Sequence, residues 1–166
     1  MYKLKRLSSE ALPAALKRAE HYRLLNEPAQ AESICRDVLE QDPDDQHALV
    51  TLLLALTDQF GQQPEERARE ARDLVSRLRG EYDRAYYNGI ICERHARALL
   101  RRGAPGNGAV VYDWLHQALE WFEQAEQLRP EGNEDALLRW NACVRTLARY
   151  PNARPAAAEE FRPFLE

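Results

Sequence analysis

Two stretches decide the architecture: residues 31–43, AESICRDVLEQDP, and residues 118–130, ALEWFEQAEQLRP. Ala31, Cys35, Val38 and Pro43 stand at intervals of four, three and five, and Ala118, Phe122, Ala125 and Pro130 repeat those intervals. In both stretches small and large apolar residues share one face of a helix, and the proline ends it. A small residue lets a neighbouring helix come close, and a large one fills the space beyond. Ala71, Val75 and Leu78 form a weaker middle copy without the closing proline. Such self-similarity is the mark of stacked helical units.

Working outward, Leu12, Ala15, Leu16, Ala19 and Tyr22 trace one face of a first helix. Ser9 is its expected cap, and Pro13 is tolerated in the first turn. Asn26-Glu27-Pro28 separates it from the second helix, which turns Ala31, Cys35, Val38 and Leu39 inward. Asp44 and Asp45 suit the start of a third helix over 47–60. Its run LVTLLLAL, residues 49–56, is apolar nearly all round and predicts the central buried element. A fourth helix over 65–79 puts Ala68, Ala71, Val75 and Leu78 inside and closes at Gly80. Further helices are expected over 83–102, 111–128 and 134–149, the last stopped by Pro151. No segment alternates as a strand would. The expected fold class is all-α, with about seven helices.

The motif small-x3-large-x2-small-x4-Pro resembles the second helix of the tetratricopeptide repeat (TPR). Ala19 and Tyr22 fall where that family places a small residue and an aromatic in the first helix. The resemblance covers about 9–149 and implies a right-handed α-solenoid of antiparallel helix hairpins, TPR-like, with three repeats and a seventh, capping helix. Residues 1–8 then form an N-terminal arm and 150–166 a proline-bearing tail. Tyr87-Asn88-Gly89 and Trp140-Asn141-Ala142 look like equivalent first-helix motifs, yet they lie 53 residues apart. That is roughly 19 more than one repeat of about 34. The surplus is expected in a long fifth helix and in an insertion loop near 102–110, GAPGNG at its centre. Either tolerant drift or a binding loop accounts for it.

Composition bounds the function. At 166 residues, 45% apolar and 30% charged, the chain has the length and apolar content of one soluble domain. Three cysteines argue against a disulfide framework and fit a reducing, cytoplasmic setting. The start, MYKLKRLSSEALPAAL, lacks the apolar core of a signal peptide, and no run approaches the roughly 18 residues of a membrane span. The net charge of −4 disfavours nucleic acid as a partner.

Catalytic patterns are missing. Gly103 and Gly108 have the spacing of phosphate-loop glycines, but Ala109 and Val110 follow where Lys and Ser or Thr are needed. Cys92 and His95 supply half of a metal site without a second pair, so a packed Cys beside a surface His is the simpler reading. His21 and His47 read as surface or groove residues. Glu65, Glu66, Glu70 and Asp73 alternate with arginines, as on a solvated, ion-paired face. The expectation is a protein that is not an enzyme and needs neither metal nor cofactor.

By the resemblance, the first helix of each hairpin lines a concave groove that receives a peptide or protein segment. The groove residues would be Arg23, His47, Thr51, Asp58, Tyr86, Tyr87, Arg94, Asn141 and Arg145, joined by aliphatic neighbours such as Leu16, Val50, Leu54, Ile90 and Leu138. The carboxylate clamp of some family members is missing, because Leu16, Glu20 and Thr51 stand at its positions. Of 23 basic residues 20 are Arg, with stripes at Arg94, Arg97 and Arg101 and at Arg145 and Arg149. Either the stripes hold an acidic peptide or they solubilise outer faces, paired with Glu93 and Asp135. Phe161, Phe164 and Leu165 in the tail would dock on the last helix beside Trp140 and Leu147, fill a neighbour's groove in a homodimer, or stay disordered. The expected role is a cytoplasmic, non-catalytic adaptor. Its rivals are a client chaperone similar to the three-repeat chaperones of bacterial type III secretion, or an accessory subunit of an enzyme complex.

Overall fold

Prolines and caps set most of the helix starts. The computed structural model describes residues 2–61, 64–103 and 105–156. A 3-10 turn over Ser9–Ala11 leads into α1 (Leu12–Leu24), followed by α2 (Pro28–Gln41), α3 (Gln46–Asp58), α4 (Pro64–Ser76), α5 (Glu81–Arg102), α6 (Gly108–Leu128) and α7 (Asp135–Arg149). No strand occurs among the described residues, and the chain is all-α. Prolines occupy the first turns of α1 and α2, where a missing N–H costs nothing. The Asp45 carboxylate accepts the Ala48 N–H at 2.8 Å and caps α3. Gly103 closes α5 in the left-handed region at φ 60°, a conformation that suits a residue without Cβ.

Two boundary expectations are corrected. Ser9 begins the 3-10 turn, and the cap position of α1 is Ala11, with no side-chain bond. Gly80 does not close α4, which ends at Ser76; it precedes α5 in an extended conformation. The link between them is tied to the start of α3. Gln46 accepts the Arg79 N–H at 2.8 Å and donates to the Arg77 carbonyl at 3.4 Å.

Each helix packs against the next in sequence, and α1 also touches α3, as α3 touches α5. The central role of α3 is plain: eight of its 13 residues are buried. Both copies of the deciding motif are sealed, with Ala31, Cys35, Val38, Ala118, Phe122 and Ala125 all 0% exposed. The Phe122 ring sits on Gly89 of α5, so closely that a Cβ there would lie 2.5 Å from a ring carbon.

The surplus length has become mainly helix. α5 and α6 run for 22 and 21 residues, against 13 or 14 in α1 and α2, and they share the most extensive interface. The link between them is 103–107, shorter than the loop expected at 102–110, because Gly108 already belongs to α6. A Cβ on Gly108 would strike the Asn152 carbonyl oxygen. The bare glycine lets the chain after α7 return across the start of α6, where Ala153 is buried. Phe161, Phe164 and Leu165 lie outside the described residues. Trp140 on α7 is 36% exposed, while Leu147 packs against the second core cluster.

Candidate functional site: an arginine-lined cavity

The site is assembled from the helices whose C-terminal halves come together. Thr57 and Asp58 end α3, Arg23 nearly ends α1, and Arg94, Arg97 and Arg101 repeat along one face of α5. Thr146 and Arg149 come from the end of α7, with Tyr150 just beyond it. Together with Leu100 and the α1–α2 turn at Asn26 and Pro28, they enclose a cavity of about 590 Å³. Five of its twelve lining residues are arginines and only Asp58 is acidic.

The floor is already bonded. Asp58 accepts from Arg23 Nε at 2.8 Å and is also paired with Arg94 Nη1. Arg94 Nη1 further donates to Thr57 Oγ1 at 2.7 Å and to the Leu54 carbonyl at 3.2 Å. Burial lowers the Arg94 pKa; the Asp58 carboxylate works against that lowering, and the nearby Arg23 charge adds to it. Deeper along α5, Glu93 is 3% exposed, receives Arg97 Nη1 at 3.2 Å, and lies 3.5 Å from Arg139 Nη1 of α7. At the start of α3, His47 Nε2 is bonded to Glu20 of α1 at 2.6 Å. These pairs form a polar ladder across α1, α3, α5 and α7.

The residues expected in the groove therefore divide. Arg23, Asp58 and Arg94 line the cavity, but Arg94 also serves as a strut between α5 and α3 through its Nη1. Thr51 was expected at the groove surface and is 3% exposed, because α3 is packed nearly all round. Tyr86 and Tyr87 are half-buried and belong to an aromatic cluster, their rings 5.2 Å apart and Tyr86 5.9 Å from Phe122. Burial pushes the Tyr87 hydroxyl up to about 12. His47 and Arg145 are exposed and Asn141 half-buried, and none of the three lines the cavity. Of the aliphatic neighbours, Leu16 and Ile90 are core, Val50 and Leu54 are packed against it, and Leu138 is exposed.

The cavity instead uses Arg97, Arg101 and Arg149, whose stripes were visible but which the groove set omitted. The signal was present in the spacing: Arg101 lies seven residues after Arg94, and Arg149 four after Arg145. Of the two acidic partners expected for these stripes, Glu93 pairs with Arg97, while Asp135 forms no ion pair among the described residues. Neither Arg101 nor Arg149 has an ion-pair partner among them.

Other expected features resolve as packing. His95 is not a surface residue: it is 6% exposed and stacks on Trp114 of α6, ring centroids 4.2 Å apart, with the Arg72 guanidinium 5.3 Å from the Trp114 ring. No cluster of metal-binding side chains occurs among the described residues. Cys35, Cys92 and Cys143 are buried, and burial pushes their thiols to about 12, 11 and 12, so they stay protonated. The α4 charges bridge to α2 instead of pairing along their own helix: Arg67 meets Glu32 at 2.9 Å, and Glu70 meets Arg36 at 2.7 Å. No helix among the described residues is long and apolar enough to cross a membrane. Comparisons of the chain with protein-family models, with curated proteins and with solved structures gave no match.

Proposed function

We propose that the chain is a TPR-like α-solenoid acting as a non-catalytic adaptor, which holds a peptide or protein segment in its concave groove. The observation that carries this reading is the origin of the cavity. Its walls come chiefly from α1, α3, α5 and α7, the helices that the tetratricopeptide resemblance assigns to the concave side, with Asn26, the first residue of α2 (Pro28) and Tyr150 added. Support also comes from the repeat motif itself, whose small and large residues are buried where successive helices meet. The floor is held by ion pairs, so a ligand meets a surface that is ordered before it arrives.

A steric block tests the proposal. Thr146→Trp, checked for retained helicity, fills the cavity without altering its charge. The parent chain is used to capture a partner, which is then purified and titrated against both chains by calorimetry. Loss of binding in the variant supports recruitment through the groove. Undiminished binding refutes it and moves the contact elsewhere on the molecule.

A further inference from the structure

The cavity carries a charge opposite to that of the chain. The whole protein has a formal net charge of −4, yet five arginines and a single carboxylate line this one concavity. Neutralisation within it is unevenly spread. Asp58 is shared between Arg23 and Arg94 at the floor, and Glu93 serves Arg97. Arg101 and Arg149 stand exposed at the end of the cavity formed by the last turns of α5 and α7, without an ion-pair partner among the described residues. Guanidinium groups on two helices lining one concavity can each take a carboxylate in a fork.

Resting on the adaptor reading, we infer that the ligand of this groove is an acidic peptide segment whose carboxylates are gripped by Arg101 and Arg149, with Arg97 beside them. Arg94 and Arg23 act as struts that hold the floor and give the cavity its positive potential. Asp58 both ties the struts and limits that potential. Charge complementarity selects this occupant: an apolar or basic segment would leave the outer guanidiniums without a counter-charge. Attraction of this kind weakens as salt shortens the screening length.

The test is anisotropy of a fluorescein-labelled decapeptide of alternating Asp and Glu, titrated with the full chain. Arg101→Gln/Arg149→Gln is expected to weaken binding about tenfold, and raising salt severalfold weakens the parent by a similar factor. Arg129→Gln, just after α6 and outside the cavity, is expected to leave binding unchanged. Asp58→Asn, provided it remains folded, tightens binding because it removes the only acidic group in the lining. Equal affinity in the parent and the double variant overturns the inference, as does the absence of saturable binding. Two further results also overturn it. Inorganic phosphate competing as strongly as the peptide would make the cavity a small-anion site, and a dimer that dissociates in the double variant would make its occupant a second copy. The outcome is separable from the adaptor proposal. A partner lost with Thr146→Trp but retained by the double variant leaves the groove reading intact and removes the acidic ligand.

Discussion

Replacing Gly89 by alanine sets two known effects against each other, and the geometry states which wins. Gly89 lies inside α5, where an alanine is normally better by about 1 kcal/mol because it loses less backbone freedom. A Cβ at this position, however, would lie 2.5, 2.7 and 2.9 Å from three carbons of the Phe122 ring. The ring is 0% exposed and wedged between α5 and the rest of its cluster, so it has little room to retreat. Forcing one more methyl into such a core costs about 1–3 kcal/mol, and a contact this short belongs near the upper end. The net expectation for Gly89→Ala is a destabilisation of about 1–2 kcal/mol. For a domain of this size that lowers Tm by about 2–8 °C. The measurement is urea and thermal unfolding followed by circular dichroism. Phe122→Leu provides the second half of the test: once the ring is gone, the alanine methyl has space and its helix preference returns. In that background Gly89→Ala is expected to be neutral or stabilising. A Gly89→Ala protein as stable as the parent would refute the close packing of α5 on α6 at this point.

Asp58→Asn leaves Arg23 and Arg94 without their shared counter-charge; we expect a loss of about 1–3 kcal/mol in urea unfolding, since these side chains are mostly but not fully buried. Equal stability of Asp58→Asn and parent would show that the polar ladder contributes nothing. His95 has a pKa lowered from 6.5, first by burial and then by Arg72 and Arg102, with Glu65 opposing. The folded protein thus refuses a proton that the unfolded chain accepts, so stability is complete above 6.5 and declines as pH falls below it. A shallower fall of Tm between about pH 7 and 5.5 in His95→Gln is the expected result, and parallel curves would dismiss the contribution. Glu32 behaves likewise at lower pH. Burial alone would raise its pKa, but hydrogen bonds from Arg36, Gln59 and Arg67 together lower it below 4.5, so the stability it confers is lost as pH drops through that lowered value. Glu32→Gln should flatten the acid limb of the unfolding curve. The three cysteines, buried with raised thiol pKa values, should react with a thiol reagent in native buffer at least about a hundredfold more slowly than in denaturant.

Helix placement was legible because it depends on periodicity and breakers, which are local. The motif residues at 31, 35 and 38 and at 118, 122 and 125 could be assigned to an interface from spacing alone, and all are sealed. What could not be read were contacts between helices distant in sequence. His95 looked like a surface residue because its partner, Trp114, lies on the next helix, and nothing near it in sequence announces a stack. Gly108 read as part of a loop because Gly, Pro and Asn surround it. The approach of the Asn152 carbonyl, 44 residues on, gives that glycine its place at the start of a helix. Thr51 is polar and sits at a groove position by resemblance, yet the apolar residues around it in α3 already pointed to burial on every side.

The arginines make the same distinction at the site. Their stripes on α5 and α7 followed from spacing, but spacing does not tell a strut from a ligand contact. That depends on which carboxylates reach them from other helices. Arg94 was the natural choice as a binding residue, because the resemblance puts it in the groove and arginine is a common hot-spot residue. Its position at the middle of α5 brings it within reach of Leu54, Thr57 and Asp58, which all engage its Nη1. Arg101, two turns further on, runs past the end of α3 and finds no such partner among the described residues. A helix longer than its neighbour thus carries Arg101, in its last turn, beyond the internal ladder and leaves it lining the cavity. The extra length of α5, which sequence spacing divided between a long helix and a loop, is what separates the structural arginine from the available one.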